Sequence, residues 1–282
     1  MRFVVTGARG MLGNDLIEVL KDRDVLALGS KELDVTNIDA VRKILNTDDV
    51  IINCAAYTKV DDAELNEQEA YAINALGAHN LAIGAREVGA KFVTVSTDYV
   101  FSGEGTSPYP ESEQRAPISA YGRTKAAGEE LALAEHPTGT SIMRTAWLYG
   151  KNGANFAQTM LNLAATKDTW SVVDDQRGQP TWTRDLAEQI VALIDSGAPV
   201  GIYHGTNSGE ATWFEFAQAV LSEAGLDSKR ITPTDSSSFI RPAPRPSYSV
   251  LGHDQWQEVG LFPMRHWRDA LHDAFAAGVF TY

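Results

Sequence analysis

Thr6–Gly13 reads TGARGMLG, with glycines at 7, 10 and 13. The short β-branched run RFVVT (2–6) leads into it. After it, Met11–Leu20 places Leu12, Leu16, Ile17 and Leu20 at helical spacing. A strand, a glycine loop and a helix in that order make a phosphate cradle. Glycine permits the tight turn and lets backbone approach a pyrophosphate, while the helix N-terminus presents free N–H groups and a positive dipole end. The spacing is G-x-x-G-x-x-G, distinct from the G-x-G-x-x-G of many dinucleotide loops.

Outward from the loop, strand and helix patterns alternate. Val25–Leu28, Val50–Ile52, Phe92–Ser96 and Ser141–Thr145 read as strands. Ile38–Leu45, a long amphipathic Glu67–Val88 and an alanine-rich Ser119–Ala134 read as helices. Such alternation predicts an α/β fold: a Rossmann-type, doubly wound parallel sheet with helices on both faces. Beyond residue 150 the rhythm loosens. Phe156–Ala165, Arg184–Ile194 and Thr212–Ala224 read as helices and Gly201–His204 as one more strand. Ile240–Ser247 (IRPAPRPS) is extended because of its prolines, and Trp256–Phe275 is partly helical. The expected division is a dinucleotide-binding domain over 1–150, with 183–207 returning to it. Residues 151–182 and 208–282 then form a smaller C-terminal substrate-binding region.

The 282 residues suffice for a substantial core, and their composition is that of a globular chain. A net charge of −13 argues against nucleic acid or an anionic membrane as partner. The N-terminus does not read as a signal peptide, and no apolar run reaches the roughly 20 residues of a membrane span. The single cysteine, Cys54 in VIINCAA, reads as a small buried hydrophobe and fits a reducing, cytoplasmic setting.

Tyr121 and Lys125 (YGRTK) lie four apart, on one face of a helix. An ammonium near a phenol is expected to lower the tyrosine pKa from about 10 and make it a proton donor to a developing alkoxide. Ser96-Thr97-Asp98 follows a strand, at the carboxyl edge where open α/β sheets bind ligands. A hydroxyl there can polarise a substrate carbonyl. An acid for the ribose diol is expected about 20 residues after the glycine loop. The end of the second strand reads Gly29-Ser30-Lys31, without a carboxylate, and Arg9 lies in the loop. These residues lean towards a 2′-phosphate and NADPH, with NADH as the alternative; Asp34 reverses the preference if the strand ends later.

These residues resemble the extended short-chain dehydrogenase/reductase family, and within it the dTDP-4-dehydrorhamnose reductases. Carrying the resemblance are TGARGMLG (6–13), LDVT (33–36), INCAAYTKVDDAE (52–64), STDYVF (96–101), YGRTKAAGE (121–129) and RTAWLYG (144–150). NFAQTML, DDQRGQPT and RPAPRPSYSVL extend it over nearly the whole chain. The resemblance implies NADPH-dependent reduction of the 4-keto group of a dTDP-4-dehydro-6-deoxy-L-hexose to dTDP-L-rhamnose. It implies Tyr121 as proton donor, Lys125 as its tuner and ribose anchor, and Thr97 as carbonyl partner. Gly7, Arg9, Gly10, Met11, Leu12 and Gly13 would line the pyrophosphate loop. Asp34 and Val35 would flank the adenine, Ser30 and Lys31 the ribose, and Ala55, Ala56 and Tyr57 the length of the cofactor. Asp98 and Trp147 would face the sugar, joined by Asn155, Gln176, Pro180, Thr181 and Arg245, the last against the diphosphate. Some members hold a metal between subunits. Asp15 is placed for it, but Arg184 stands where a second carboxylate belongs, so no metal is expected; a homodimer is compatible.

Two alternatives stay open from the residues. A non-catalytic subunit of the same fold would show a broken Tyr-Lys pair, which this chain keeps. The other is another sugar-nucleotide enzyme, an epimerase or dehydratase; a dehydratase needs extra acid and base groups beside the carbonyl, and Asp98-Tyr99 offers no acidic pair.

Overall fold

The structure, a computed structural model, describes all 282 residues, Met1 to Tyr282. Five parallel strands follow the expected alternation: β1 (Arg2–Thr6), β2 (Val25–Leu28), β3 (Asp49–Asn53), β4 (Lys91–Thr97) and β5 (Thr140–Thr145). The strand Ile202–His204 adds to β5 in parallel and completes a six-stranded sheet. From one edge the order is Ile202–His204, β5, β4, β3, β1, β2. The chain therefore moves outward from β1 to β2, then reverses to β3 on the other side. The crevice between the carboxyl ends of β1 and β3 is the switch point where α/β sheets bind ligands.

Helices cover both faces. α1 (Met11–Val19) and the helix Thr183–Ser196 share one face, where Leu16, Leu186 and Ile190 are fully buried with Phe3, Val5 and Ile52. On the other face Val41 of α2 (Ile38–Ile44) and Leu81 pack against Val4, Ile51 and Phe92. The strand faces alternate Val4/Ile51 against Val5/Ile52, so both sides of the sheet are apolar, as a fully covered parallel sheet requires.

The long helix expected over Glu67–Val88 is present but not uniform. After the four-residue α3 (Val60–Ala63) come α4 (Glu67–Tyr71), a π turn (Ala72–Leu76), and α5 (Gly77–Val88). The widened turn holds Asn74, which is 1% exposed and bonds away from its own helix. α6 (Ala120–Glu135) starts at Ser119, whose hydroxyl accepts from Gly122 N at 3.1 Å. Its small residues serve close approach. A Cβ on Gly122 would lie 2.2 Å from Tyr99 O, and one on Gly128 2.3 Å from Asn74 O.

The C-terminal region has a core of its own. It is built on α7 (Phe156–Ala164), the helix Trp213–Glu223 and the helix Trp267–Ala276. Its 19 buried hydrophobics equal the number in the larger sheet cluster, so this region is a packed unit and not a loose appendage. The segment 240–247 is non-helical, as its prolines require.

Candidate active site

The glycine loop sits at the switch point. Gly7 has φ +66°, and a Cβ there would meet the Cys54 backbone at 2.5 Å. A Cβ on Gly13 would lie 2.4 Å from Gly7 O. Both positions exclude any side chain. Gly10 caps α1, whose first turn carries no acidic residue. The cradle thus fits a pyrophosphate sterically and electrostatically. Met11 and Leu12 form the first turn behind it. Cys54 is half-buried, and burial pushes its thiol up to about 12, which makes it an unreactive packing group.

At the end of β2 the structure corrects the sequence reading. A carboxylate does stand there: Glu32 Oε2 accepts from Gly29 N at 2.8 Å. Its other oxygen lies 3.3 Å from Arg9 Nη2. The sequence does not reveal this, because Glu32 is separated from the strand by a turn that folds it back onto Gly29. Arg9 is consequently engaged by a carboxylate on an exposed rim, while Ser30 and Lys31 project from the turn into solvent. Asp34 accepts from Thr36 N and Oγ1, which hold its carboxyl below the usual range. Val35 is buried against Gly77. Along β3, Ala55 N donates to Asn53 Oδ1 at 3.1 Å, and Tyr57 N donates to Asn74 Oδ1 at 2.8 Å. Ala55, Ala56 and Tyr57 are half-buried along the crevice.

Thr97, Asp98, Tyr121 and Lys125 converge at the end of β4. Thr97 donates to Asp98 Oδ1 at 2.8 Å and accepts from Tyr99 N at 3.2 Å. Asp98 is 2% exposed and its Oδ2 makes no hydrogen bond of good geometry, although the Ser249 hydroxyl lies near the carboxyl. Burial pushes its carboxyl up to about 6, against the pull of the Ser249 and Thr97 hydroxyls. Lys125 Nζ donates to Val95 O at 2.6 Å, tethering it to the strand. Burial brings the ammonium down to about 8, opposed by Glu129.

The expected drop in the Tyr121 pKa is absent. Burial and the nearby Asp98 carboxylate push the phenol up, and Thr97 counters only in part. Lys125 spends its short hydrogen bond on Val95 O instead of on the phenol. Tyr121 therefore rests as the neutral acid, the form a proton donor needs. Its ring meets Tyr99 edge-on, with centroids 5.8 Å apart. Two residues from the stretches that carry the resemblance, RTAWLYG and YGRTKAAGE, prove structural. Arg144 and Glu129, each 1% exposed, form a two-pronged pair at 2.9 and 2.7 Å that ties β5 to α6.

The expected sugar-facing residues divide. Trp147 follows β5 with φ +44° and stacks on Trp213, rings 3.5 Å and 8° apart. Gly178 also packs closely on it, since a Cβ there would lie 2.6 Å from the indole. Gln176 Oε1 accepts from Trp213 Nε1 at 3.1 Å, so it supports the stack. Asn155 accepts from Gln158 N and donates to Gly150 O; it caps α7. Pro180 and Thr181 are buried, with Thr181 Oγ1 on Gln179 O. Arg245 pairs with Asp61 at 2.9 Å. The polar atoms of Asn155 and Thr181 are thus committed to the chain itself. Asp15 accepts from Thr183 Oγ1, Arg184 pairs with Glu188, and no three His, Cys, Asp or Glu side chains converge.

Besides Glu32, three site residues escaped the sequence reading: Asn74, Asp61 and Trp213. Asn74 carries a signal, an amide beside the apolar Ile73 and Ala75 inside an amphipathic helix. It donates to Tyr57 O and Thr124 Oγ1, joining β3's loop to α6. Asp61 and Trp213 carried none, because their partners lie 184 and 66 residues away.

The RmlD substrate binding domain family model matches residues 1–279. The chain belongs to that family. Among its relatives, a probable dTDP-4,6-dihydroxy-2-methyloxan-3-one 4-ketoreductase of Streptomyces antibioticus is 49% identical, over 98% of this chain and 95% of the relative. A dTDP-4-dehydrorhamnose reductase of Streptomyces griseus is 47% identical over 98% and 93%. The crystal structure of a dTDP-4-dehydrorhamnose reductase from Bacillus anthracis in complex with NADP superposes with a TM-score of 0.93. It is 41% identical and covers 98% of this chain and 99% of that one. Family membership extends over both cores, so the C-terminal unit is part of the family's architecture and not an addition to it.

Proposed function

We propose that the chain is an NADPH-dependent oxidoreductase that reduces the 4-keto group of a dTDP-4-keto-6-deoxyhexose, giving dTDP-L-rhamnose. The observation that carries this is the meeting of Thr97, Tyr121 and Lys125 at the carboxyl end of β4, beside the glycine cradle at the switch point. The names of the relatives and the NADP complex support it.

The loop Gly7–Gly13 and the start of α1 hold the pyrophosphate; Lys125 anchors the ribose. NADPH supplies a hydride for C4. Thr97 Oγ1 donates to the ketone oxygen, trading Asp98 for substrate. Tyr121 Oη then gives its proton to the oxygen as it becomes an alkoxide, so C=O becomes CH–OH. A charged Lys125 nearby offsets the tyrosinate left behind. Residues 1–150 with 183–207 serve the cofactor; 151–182 and 208–282 serve the sugar, together with Trp147 near the end of the first unit. One thiol without a disulfide partner suits a cytoplasmic setting.

A second reading, reduction of a more fully deoxygenated dTDP-4-ketosugar, is favoured by the Streptomyces antibioticus relative. Incubating the protein with NADPH and each ketosugar tests both: absorbance reports turnover, and the stereochemistry of the product separates them. No loss of NADPH with any dTDP-4-ketosugar overturns the proposal.

A further inference from the structure

Between α3 and the proline-rich segment, one carboxylate collects a disproportionate share of donors. Asp61 Oδ1 accepts from Arg245 Nη2 at 2.9 Å and from Ala243 N at 3.3 Å. Its Oδ2 lies 3.8 Å from Arg241 Nη1. Two guanidinium groups and a backbone N–H around one anion make the donor set that recognises phosphate oxygens. Arg245 Nη1 is braced on Ala243 O at 2.9 Å, so the fork is held in place.

The helix that carries Asp61 adjoins the start of α6, which carries the candidate catalytic tyrosine. Arg245 and Asp61 are both close enough to influence the Tyr99 phenol, and Tyr99 meets Tyr121 edge-on. Glu64, three residues after Asp61, accepts from Ala120 N at 2.8 Å, so α3 is tied to the start of α6. The Arg245 and Asp61 side chains keep 20% and 28% of their surface exposed. The pair is therefore open to solvent and is not sealed in a core.

We infer that Asp61 is an internal placeholder for the substrate diphosphate: it occupies Arg245 and Arg241 in the free protein and is displaced when a nucleoside diphosphate binds. This rests on the proposed function. A diphosphate offers more negative charge and more acceptor oxygens than one carboxylate, so it wins the guanidinium fork. Asp61 then stands beside a second anion, and the repulsion weakens binding and favours release. Without a ligand, the carboxylate spares two arginines on one short loop from facing each other unpaired.

The test is calorimetric titration of dTDP into the full chain, wild type and D61N, R245A and D61N/R245A variants. Asp→Asn keeps shape and removes only charge. D61N is expected to bind about three- to tenfold more tightly, as for loss of one part-exposed charge contact, and the gain shrinks as salt is added. R245A binds more weakly, and D61N brings no gain in the R245A background; a merely structural Asp61 would not show that dependence. Wild type that binds dTDP while D61N binds no tighter overturns this inference alone. Wild type that binds no dTDP overturns the functional reading and this inference with it.

Discussion

The two halves of the candidate site are built differently. The cofactor half is made of segments at the carboxyl ends of strands: Gly7 just after β1, Ala55 shortly after β3, Thr97 at the end of β4. Each is placed by its own strand, and its contacts lie mostly within that edge of the sheet. The sugar half is assembled from distant pieces. Trp147 is stacked by Trp213, Trp213 is held by Gln176, and Arg245 is held by Asp61. One half comes from regular architecture; the other depends on long-range contacts between two packed cores. Chemistry is therefore expected to fail through single local groups, and substrate recognition through the supports of groups that never touch substrate.

Tyr121→Phe should give the largest effect. It removes the proton donor and keeps the ring against Tyr99, so turnover falls by about 10² to 10⁴-fold while NADPH affinity is retained. Steady-state kinetics with cofactor titration checks this. Near-normal turnover would break the assignment of chemistry to the β4 edge.

Asp98→Asn should raise stability at neutral pH. Burial moves the Asp98 carboxyl from its usual 3.8 to about 6. Between those values the folded state binds a proton that the unfolded state does not, so stability falls as pH rises through that window. Above it the penalty stands in full, on the order of 2–3 kcal/mol. The variant should lose that pH dependence, and melting temperatures from pH 4 to 8 should show wild type crossing below it. Parallel curves would mean that Asp98 is relieved by solvent.

Trp213→Ala sharpens the comparison. It leaves the β4 edge untouched but frees Trp147, whose left-handed backbone conformation is unfavourable for a bulky residue. KM for the ketosugar should rise by about tenfold, the scale of one lost aromatic stack of ~1 kcal/mol and its ordering, with kcat changed far less. Loss of the coupled-indole signal in circular dichroism would report the separated stack. An equal fall in kcat with KM unchanged would place Trp213 in the chemistry instead.

The smallest effect is expected at the rim. Glu32→Gln removes the negative charge beside Arg9, so kcat/KM for NADPH over NADH should rise by a factor of about three to five, the scale of one exposed contact. Arg9→Ala should move the ratio the other way. A ratio unchanged in both variants would mean that the end of β2 does not touch the ribose.

The alternation of apolar runs and glycines was enough to define the sheet, the helices and the cradle, because strand and helix periodicities and the turn at Gly7 are local properties. The same locality made Tyr121, Lys125 and Thr97 legible: Thr97 ends a strand, and Tyr121 and Lys125 lie one turn apart near the start of a helix. What locality cannot carry is electrostatic environment and distant pairing. The Tyr121 pKa moves up because burial and Asp98 outweigh an ammonium bonded to Val95 O. Asn155 and Thr181 look like free polar groups in the sequence and are spent on a helix cap and a turn. Glu32 folds back onto Gly29, and Asp61 meets an arginine 184 residues away. Which polar groups stay free for a ligand is set by desolvation and by which partners the fold brings within 3 Å, and those are decided only when two cores have packed against each other.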